Sequence, residues 1–122
     1  NSVNVNGANI SILGSTSLAA NDLTLLTSSC PTLSFGIYIF GDQQTQVFLG
    51  NGFLCVSGTP VYRLGVAQAD IFGTSFLTLD NQNLPGGLMI NPGDTYNAQL
   101  WYRDSVGAGF NLSNGVEITW AP

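Results

Sequence analysis

The sequence contains no histidine and no lysine, and its only side-chain cations are Arg63 and Arg103. Charged residues make up 7% of the chain, against about 25% in an ordinary soluble domain. Asp and Glu together number 7, for a formal net charge of −5. Nucleic acid needs clustered positive charge to neutralise phosphates, and an anionic membrane surface asks the same, so neither is an expected partner. Without histidine or lysine the commonest general bases and nucleophile–base pairs cannot be assembled. Carboxylates for glycoside hydrolysis exist among Asp70, Asp80, Asp94, Asp104 and Glu117, but their spacing selects no pair. The expectation is a chain that is not an enzyme and needs no cofactor.

Cysteine is also scarce. Cys30 and Cys55 are the only two, and two cysteines without histidine make a poor zinc site. In an exported chain they are expected to form one disulfide. It would close a loop of about 25 residues, worth roughly 3 kcal/mol on the chain-entropy model; the alternative is two buried thiols. Asp and Asn loops such as Asp80-Asn81-Gln82-Asn83 carry the oxygen ligands of a structural calcium, but no EF-hand spacing is present and no metal site is assigned. Glycine pairs such as Gly86-Gly87 read as turns, because no helical pattern follows them. No apolar run approaches the ~18 residues of a membrane span. The chain opens on Asn1 and not on methionine, as expected of a processed chain or an excised domain.

What is present is 122 residues, 44% of them hydrophobic, enough for one domain with a sizeable core. Its polar surface must be built from Asn, Gln, Ser, Thr and backbone, a composition that suits secreted adhesive, matrix or sugar-facing proteins. Alternation and turn residues divide the chain into about ten short strands. No stretch carries a helical period, so the expected fold is an all-β sandwich, jelly-roll or immunoglobulin-like, of 8–10 short antiparallel strands.

Val3 and Val5 alternate with Asn4 and Asn6, and Ile10 and Ile12 with Asn9 and Ser11. Residues 1–14 therefore read as an N-terminal strand or assembly arm, ahead of a sandwich domain at 15–122. Strands are also expected near Thr16–Leu18, Leu23–Ser28, Val61–Leu64, Phe76–Asp80, Leu88–Ile90 and Val116–Trp120. Phe35–Phe40 is apolar on both faces and should be a central strand, buried on both sides or covered by a partner. Gln46–Leu49 and Phe53–Val56 flank Gly50-Asn51-Gly52, a hairpin connection. Thr95–Arg103 is the longest strand, with Ala98, Leu100 and Tyr102 on one face and Asn97, Gln99, Trp101 and Arg103 on the other. Asn9-Ile10-Ser11 and Asn111-Leu112-Ser113 fit the N-glycosylation sequon, which matters only in a pathway that glycosylates it.

Several pieces, in this order, resemble a family of secreted all-β domains of environmental bacteria. They are Phe35-Gly36, Gly41 to Val47, Gly50 to Val56, Tyr62-Arg63-Leu64, Pro92-Gly93, Leu100-Trp101-Tyr102-Arg103-Asp104 and Gly109 to Asn114. The likeness spans roughly residues 16 to 122. It implies export and a β fold, and it carries over no active site. The family often has a cysteine near its end where this chain has Ala121, and seldom one at the position of Cys30. This implies that Cys55 has changed partner.

Two functional expectations follow. The first is an extracellular, self-assembling structural subunit, its partners being copies of itself. Sandwiches usually guard their sheet edges with lysine, and here none exists. The Val3, Val5, Ile10, Ile12 segment is the candidate arm for strand addition to a neighbour. The second is a carbohydrate-binding or adhesion module resting on Trp101, Tyr102, Arg103, Asp104 and Tyr62, where rings stack and charged groups supply directional hydrogen bonds. Against that platform, Arg103 reads as a structural residue that pins the Ser105–Gly109 loop through a carboxylate or carbonyls.

Overall fold

The computed structural model describes residues 1–122. Ten strands and a single 3-10 turn at Pro85–Gly87 make up its regular structure. In chain order the strands are β1 (Asn9–Leu13), β2 (Thr24–Ser28), β3 (Phe35–Gly41), β4 (Gln43–Leu49), β5 (Gly52–Ser57) and β6 (Tyr62–Gln68). They continue with β7 (Ser75–Thr78), β8 (Thr95–Arg103), β9 (Phe110–Leu112) and β10 (Val116–Thr119).

The strands form a three-stranded sheet, β1-β2-β7, and a five-stranded sheet, β10-β8-β3-β6, in which β9 also pairs with β8. Every strand pairing is antiparallel. Strands β9 and β10 share one flank of β8, against Trp101–Arg103 and Thr95–Ala98 respectively. The β4–β5 hairpin stands apart as a two-stranded ribbon. The all-β sandwich expected from alternation is the observed architecture.

One core lies between the two sheets. Ile10 and Leu25 enter it from the three-stranded sheet, and Tyr38, Phe40, Ala98, Leu100, Tyr102 and Ile118 from the other. Tyr38 ties the layers together: its hydroxyl lies 2.8 Å from Thr27 Oγ1 on β2 and donates to the Ser75 carbonyl on β7 at 3.1 Å. A fully buried phenol needs such partners, because an unpaired one costs about 1–3 kcal/mol.

Three further apolar residues are buried outside the main core, on the far side of the five-stranded sheet. Ile39 and Val56 are buried at 5% and 0% exposure and Leu112 at 6%, yet none belongs to the main core. Each belongs to β3, β5 or β9, and the hairpin is the element that covers them. Gly41 allows this approach, because a β-carbon there would collide with the Ser57 carbonyl and Val56.

Several expectations are corrected. Of the two readings of residues 1–14, the strand holds for Asn9–Leu13 and the assembly arm does not. Asn9–Leu13 is an integral strand paired with β2, with Ile10 in the core and Ile12 packed against it. Asn1–Gly7 forms turns laid against its own domain. Asn1 Oδ1 accepts from the backbone N–H groups of Val3 (3.0 Å) and Asn4 (2.8 Å), while its Nδ2 donates to the Ser29 carbonyl at 2.8 Å. Asparagine bonds its own following backbone readily, and here that wins over extension. Val3 and Val5 are left exposed.

Cys30 and Cys55 are both free. Cys30 is in the main core, whereas Cys55 lies on β5 beside Gly115 on the hairpin side of the sheet. The sheet separates them, so no disulfide joins them. Thr16–Leu18 contributes only a single bridge, Ser17 to Ala121, and Leu88–Ile90 is not a strand.

Candidate functional site

The outer face of the five-stranded sheet is covered only in part. Where the hairpin lies over it, β8 presents Asn97 and Gln99, both buried. Gln99 spends its whole amide on this packing. Its Oε1 accepts from Cys55 N–H at 2.9 Å, and its Nε2 donates to the carbonyls of Phe53 (2.8 Å) and Ser113 (2.6 Å).

Two residues along, the same face carries Trp101 and Arg103 with no hairpin above them. They line an open hollow of about 270 Å³ with Phe35, Ile37, Val66 and Phe110. The register explains the grouping. Ile37 is paired with Val66 on one side and with Trp101 on the other, and Arg103 is paired with Phe110. Paired residues share a face, so four adjacent strands deliver their outward side chains to one place. Trp101 and Phe110 meet edge to face, centroids 5.6 Å apart, a favoured arrangement for aromatic pairs. Phe35 and Val66 stand 55% and 64% exposed. These uncovered apolar side chains, gathered in one place, make the hollow the candidate site.

The five residues expected to form a ligand platform do not stand together. Trp101 and Arg103 line the hollow, and Tyr102, between them in the strand, also borders it, but without its ring. Tyr102 belongs to the opposite face: it is in the core, and its hydroxyl accepts from Asn1 Nδ2 at 3.0 Å. Burial raises its pKa. Asp104 is buried at 4% exposure, and its carboxylate accepts from Ser2 N–H at 3.2 and 3.3 Å. Tyr62 packs against the core, its ring beside Gly86 of the 3-10 turn. A strand alternates its faces residue by residue, so Trp101-Tyr102 cannot offer two rings to one ligand.

Arg103 does not pin the following loop. Asn51 in the hairpin turn does so: its Nδ2 donates to the Val106 carbonyl at 2.7 Å, and its Oδ1 accepts from Ala108 N–H at 2.9 Å. The Asp104 carboxylate is turned to Ser2, and Arg103 is exposed.

The remaining carboxylates work locally. Asp70 caps the turn before β7, accepting from Phe72 and Thr74 N–H. Asp80 accepts from the side chain of Asn83, then from that of Asn21 and from Gln82 N–H, which together hold its pKa below the usual value. Asp94 accepts from Asn91 N–H, and Glu117 from Gln44 Nε2. No group of three or more Asp, Glu, Cys or His side chains comes together as a metal cluster would require. Of the two sequons, Asn9 is exposed, while Asn111 is 7% exposed with its Oδ1 turned onto Leu112 N–H at 2.8 Å.

Phe35, Ile37, Val66 and Phe110 were not expected at a site. The available signal was Phe35–Phe40, apolar on both faces, which required a cover on its outer side. The hairpin supplies half of that cover. Compared with family models, curated proteins and solved structures, the chain matches none.

Proposed function

We propose that the chain is an extracellular structural subunit that associates with copies of itself through the open half of its five-stranded sheet. The hollow of Phe35, Ile37, Val66, Trp101 and Phe110 is the observation that carries this reading. A charge-poor surface supports it, because contacts between copies would bury few unpaired ions. So does strand β6, an edge of the sheet whose only charge is Arg63 and which lacks the lysines that usually discourage pairing. The N-terminal arm is not the means, since Asn1–Gly7 is tied down on its own domain.

Sedimentation velocity of the wild-type chain across a wide concentration range tests the proposal. The expected result is reversible association that Val66→Glu, at an exposed position on the rim, weakens sharply. A chain that stays monomeric up to millimolar concentration would refute it. Carbohydrate binding is the second reading, favoured by Trp101 and Arg103 on one face. It has lost Tyr102 and Asp104 as polar contacts. Retention on a polysaccharide array that vanishes in Trp101→Ala would favour it over association.

A further inference from the structure

We infer that the occupant of the hollow is the Asp70–Phe72 turn of a second copy of the chain, an inference that rests on the self-association proposed above. This turn links β6 to β7. Asp70 Oδ1 accepts from Phe72 N–H at 2.9 Å and from Thr74 N–H at 3.0 Å, and Gly73 reverses the backbone at φ 77°. The turn is thus fixed in shape and holds its two apolar side chains outward, Ile71 67% and Phe72 83% exposed. Phe72 is the most exposed aromatic residue of the chain. A preorganised turn of this kind gives up little conformational freedom on docking.

Size and charge match it to the hollow. At about 270 Å³ the open hollow has room for a large apolar side chain. Both arginines belong to this face: Arg103 lines the hollow, and Arg63 on β6 is paired with Ile39 of β3. None of the acids lines it. The turn brings a carboxylate of its own, and both of Asp70's side-chain hydrogen bonds use Oδ1, leaving Oδ2 to face an arginine. The other exposed aromatic pair, Phe48 and Phe53 on the hairpin, has no acid beside it in sequence.

Turn and hollow are distinct surfaces. Ala69 N–H bonds the Ser34 carbonyl at 2.8 Å, which sets the turn just beyond Phe35 at the rim. Two copies therefore either exchange turns about a two-fold axis or repeat the contact head to tail.

The test uses the full chain with Phe72→Asp and, separately, Val66→Glu. Both positions are exposed, and circular dichroism with thermal melting verifies that each variant folds. Each substitution is expected to raise the self-association Kd at least about 30-fold, the size of an interface hot spot. A one-to-one mixture of the two should associate again as a heterodimer, since one variant keeps the hollow and the other keeps the turn. Arg103→Gln should weaken association less and flatten its salt dependence. If Val66→Glu abolishes association while Phe72→Asp does not, the hollow is an interface but the turn is not its occupant, and this inference falls alone. If the mixture fails to associate, it falls as well. A wild-type chain that never self-associates removes both readings.

Discussion

Asn97 and Gln99 point the same way from β8 as Trp101 and Arg103, yet the amides are buried and the tryptophan and arginine are left open. The inversion follows from how far the β4–β5 hairpin extends. The hairpin replaces water with the Cys55 N–H and Phe53 carbonyl over Gln99 and with the Gln44 side chain over Asn97, so two amides are buried with their hydrogen bonds made. At its tip the chain turns through Gly50, whose α-carbon lies close against the Phe110 ring, and beyond that point the sheet is bare. Sheet faces in such a domain are therefore closed by an accessory ribbon as well as by a second sheet. Where the ribbon stops, ordinary core residues become surface.

The sharpest way to break this comparison is Gln99→Ala. It would strand Cys55 N–H and the carbonyls of Phe53 and Ser113 beneath the hairpin and open a void. We expect a loss of about 4 kcal/mol, summed from unpaired buried groups and cavity, read from the denaturant midpoint. A loss below about 1 kcal/mol would mean that the hairpin does not seal this half. Next comes Gly41→Ala, whose methyl group would push into the Ser57 carbonyl and lift the hairpin. Overpacking of this kind costs about 1–3 kcal/mol, and faster amide exchange at Cys55 N–H should accompany it.

A pH series sharpens the contrast between the two sides of the sheet. Burial pushes the Cys30 thiol from 9.0 up to about 11, with the Asp70 carboxylate adding to the effect. Burial also raises the Tyr38 and Tyr102 hydroxyls, against the hydrogen bonds they make. These groups are harder to ionise in the folded chain than in the unfolded one. The Cys30 contribution to stability is whole below about pH 9 and is lost as pH climbs through about 11, and the two tyrosines add to the loss at alkaline pH. Urea midpoints should be flat from neutrality to about pH 9 and fall above it. The smallest effect belongs to the open half: Val66→Thr should move stability by no more than about 0.5 kcal/mol, as exposed substitutions do.

Much of the architecture was legible in residue types. The alternation of Thr95–Arg103 assigned both faces of β8 correctly, because one face of that strand lies on a continuous core. Gly50-Asn51-Gly52 marked the hairpin through its turn chemistry. Phe35–Phe40 announced a strand needing cover on both sides, and that double requirement is what the open hollow still expresses at Phe35 and Ile37. Other features had no local signal. The Val3-Asn4-Val5-Asn6 alternation imitates a strand, but Asn1 and Asn4 use their side chains to close turns. Trp101 to Asp104 looks like one constellation in sequence and is divided between opposite faces by the pleat. Pairing between Phe110–Leu112 and the end of β8 spans three residues, too short for periodicity to show. The arrangement of Cys30 and Cys55 depends on which side of a sheet each strand ends, which no spacing encodes.

The burial of Asn111 bears on how the protein can be made. A host that attaches glycans to nascent chains at Asn-X-Ser would find two acceptors here, and they are not equivalent. Sugar on Asn9 would project from the margin of β1 into solvent and leave the fold intact. Sugar on Asn111 would have to occupy the space where that side chain folds back on its own backbone beside β5, so every molecule modified there would be barred from closing its sheet. Expression in such cells should therefore yield folded material bearing carbohydrate at Asn9 alone, and replacing Ser113, the third residue of the internal sequon, would trade that hazard for the loss of its hydroxyl's bond to Leu100 N–H.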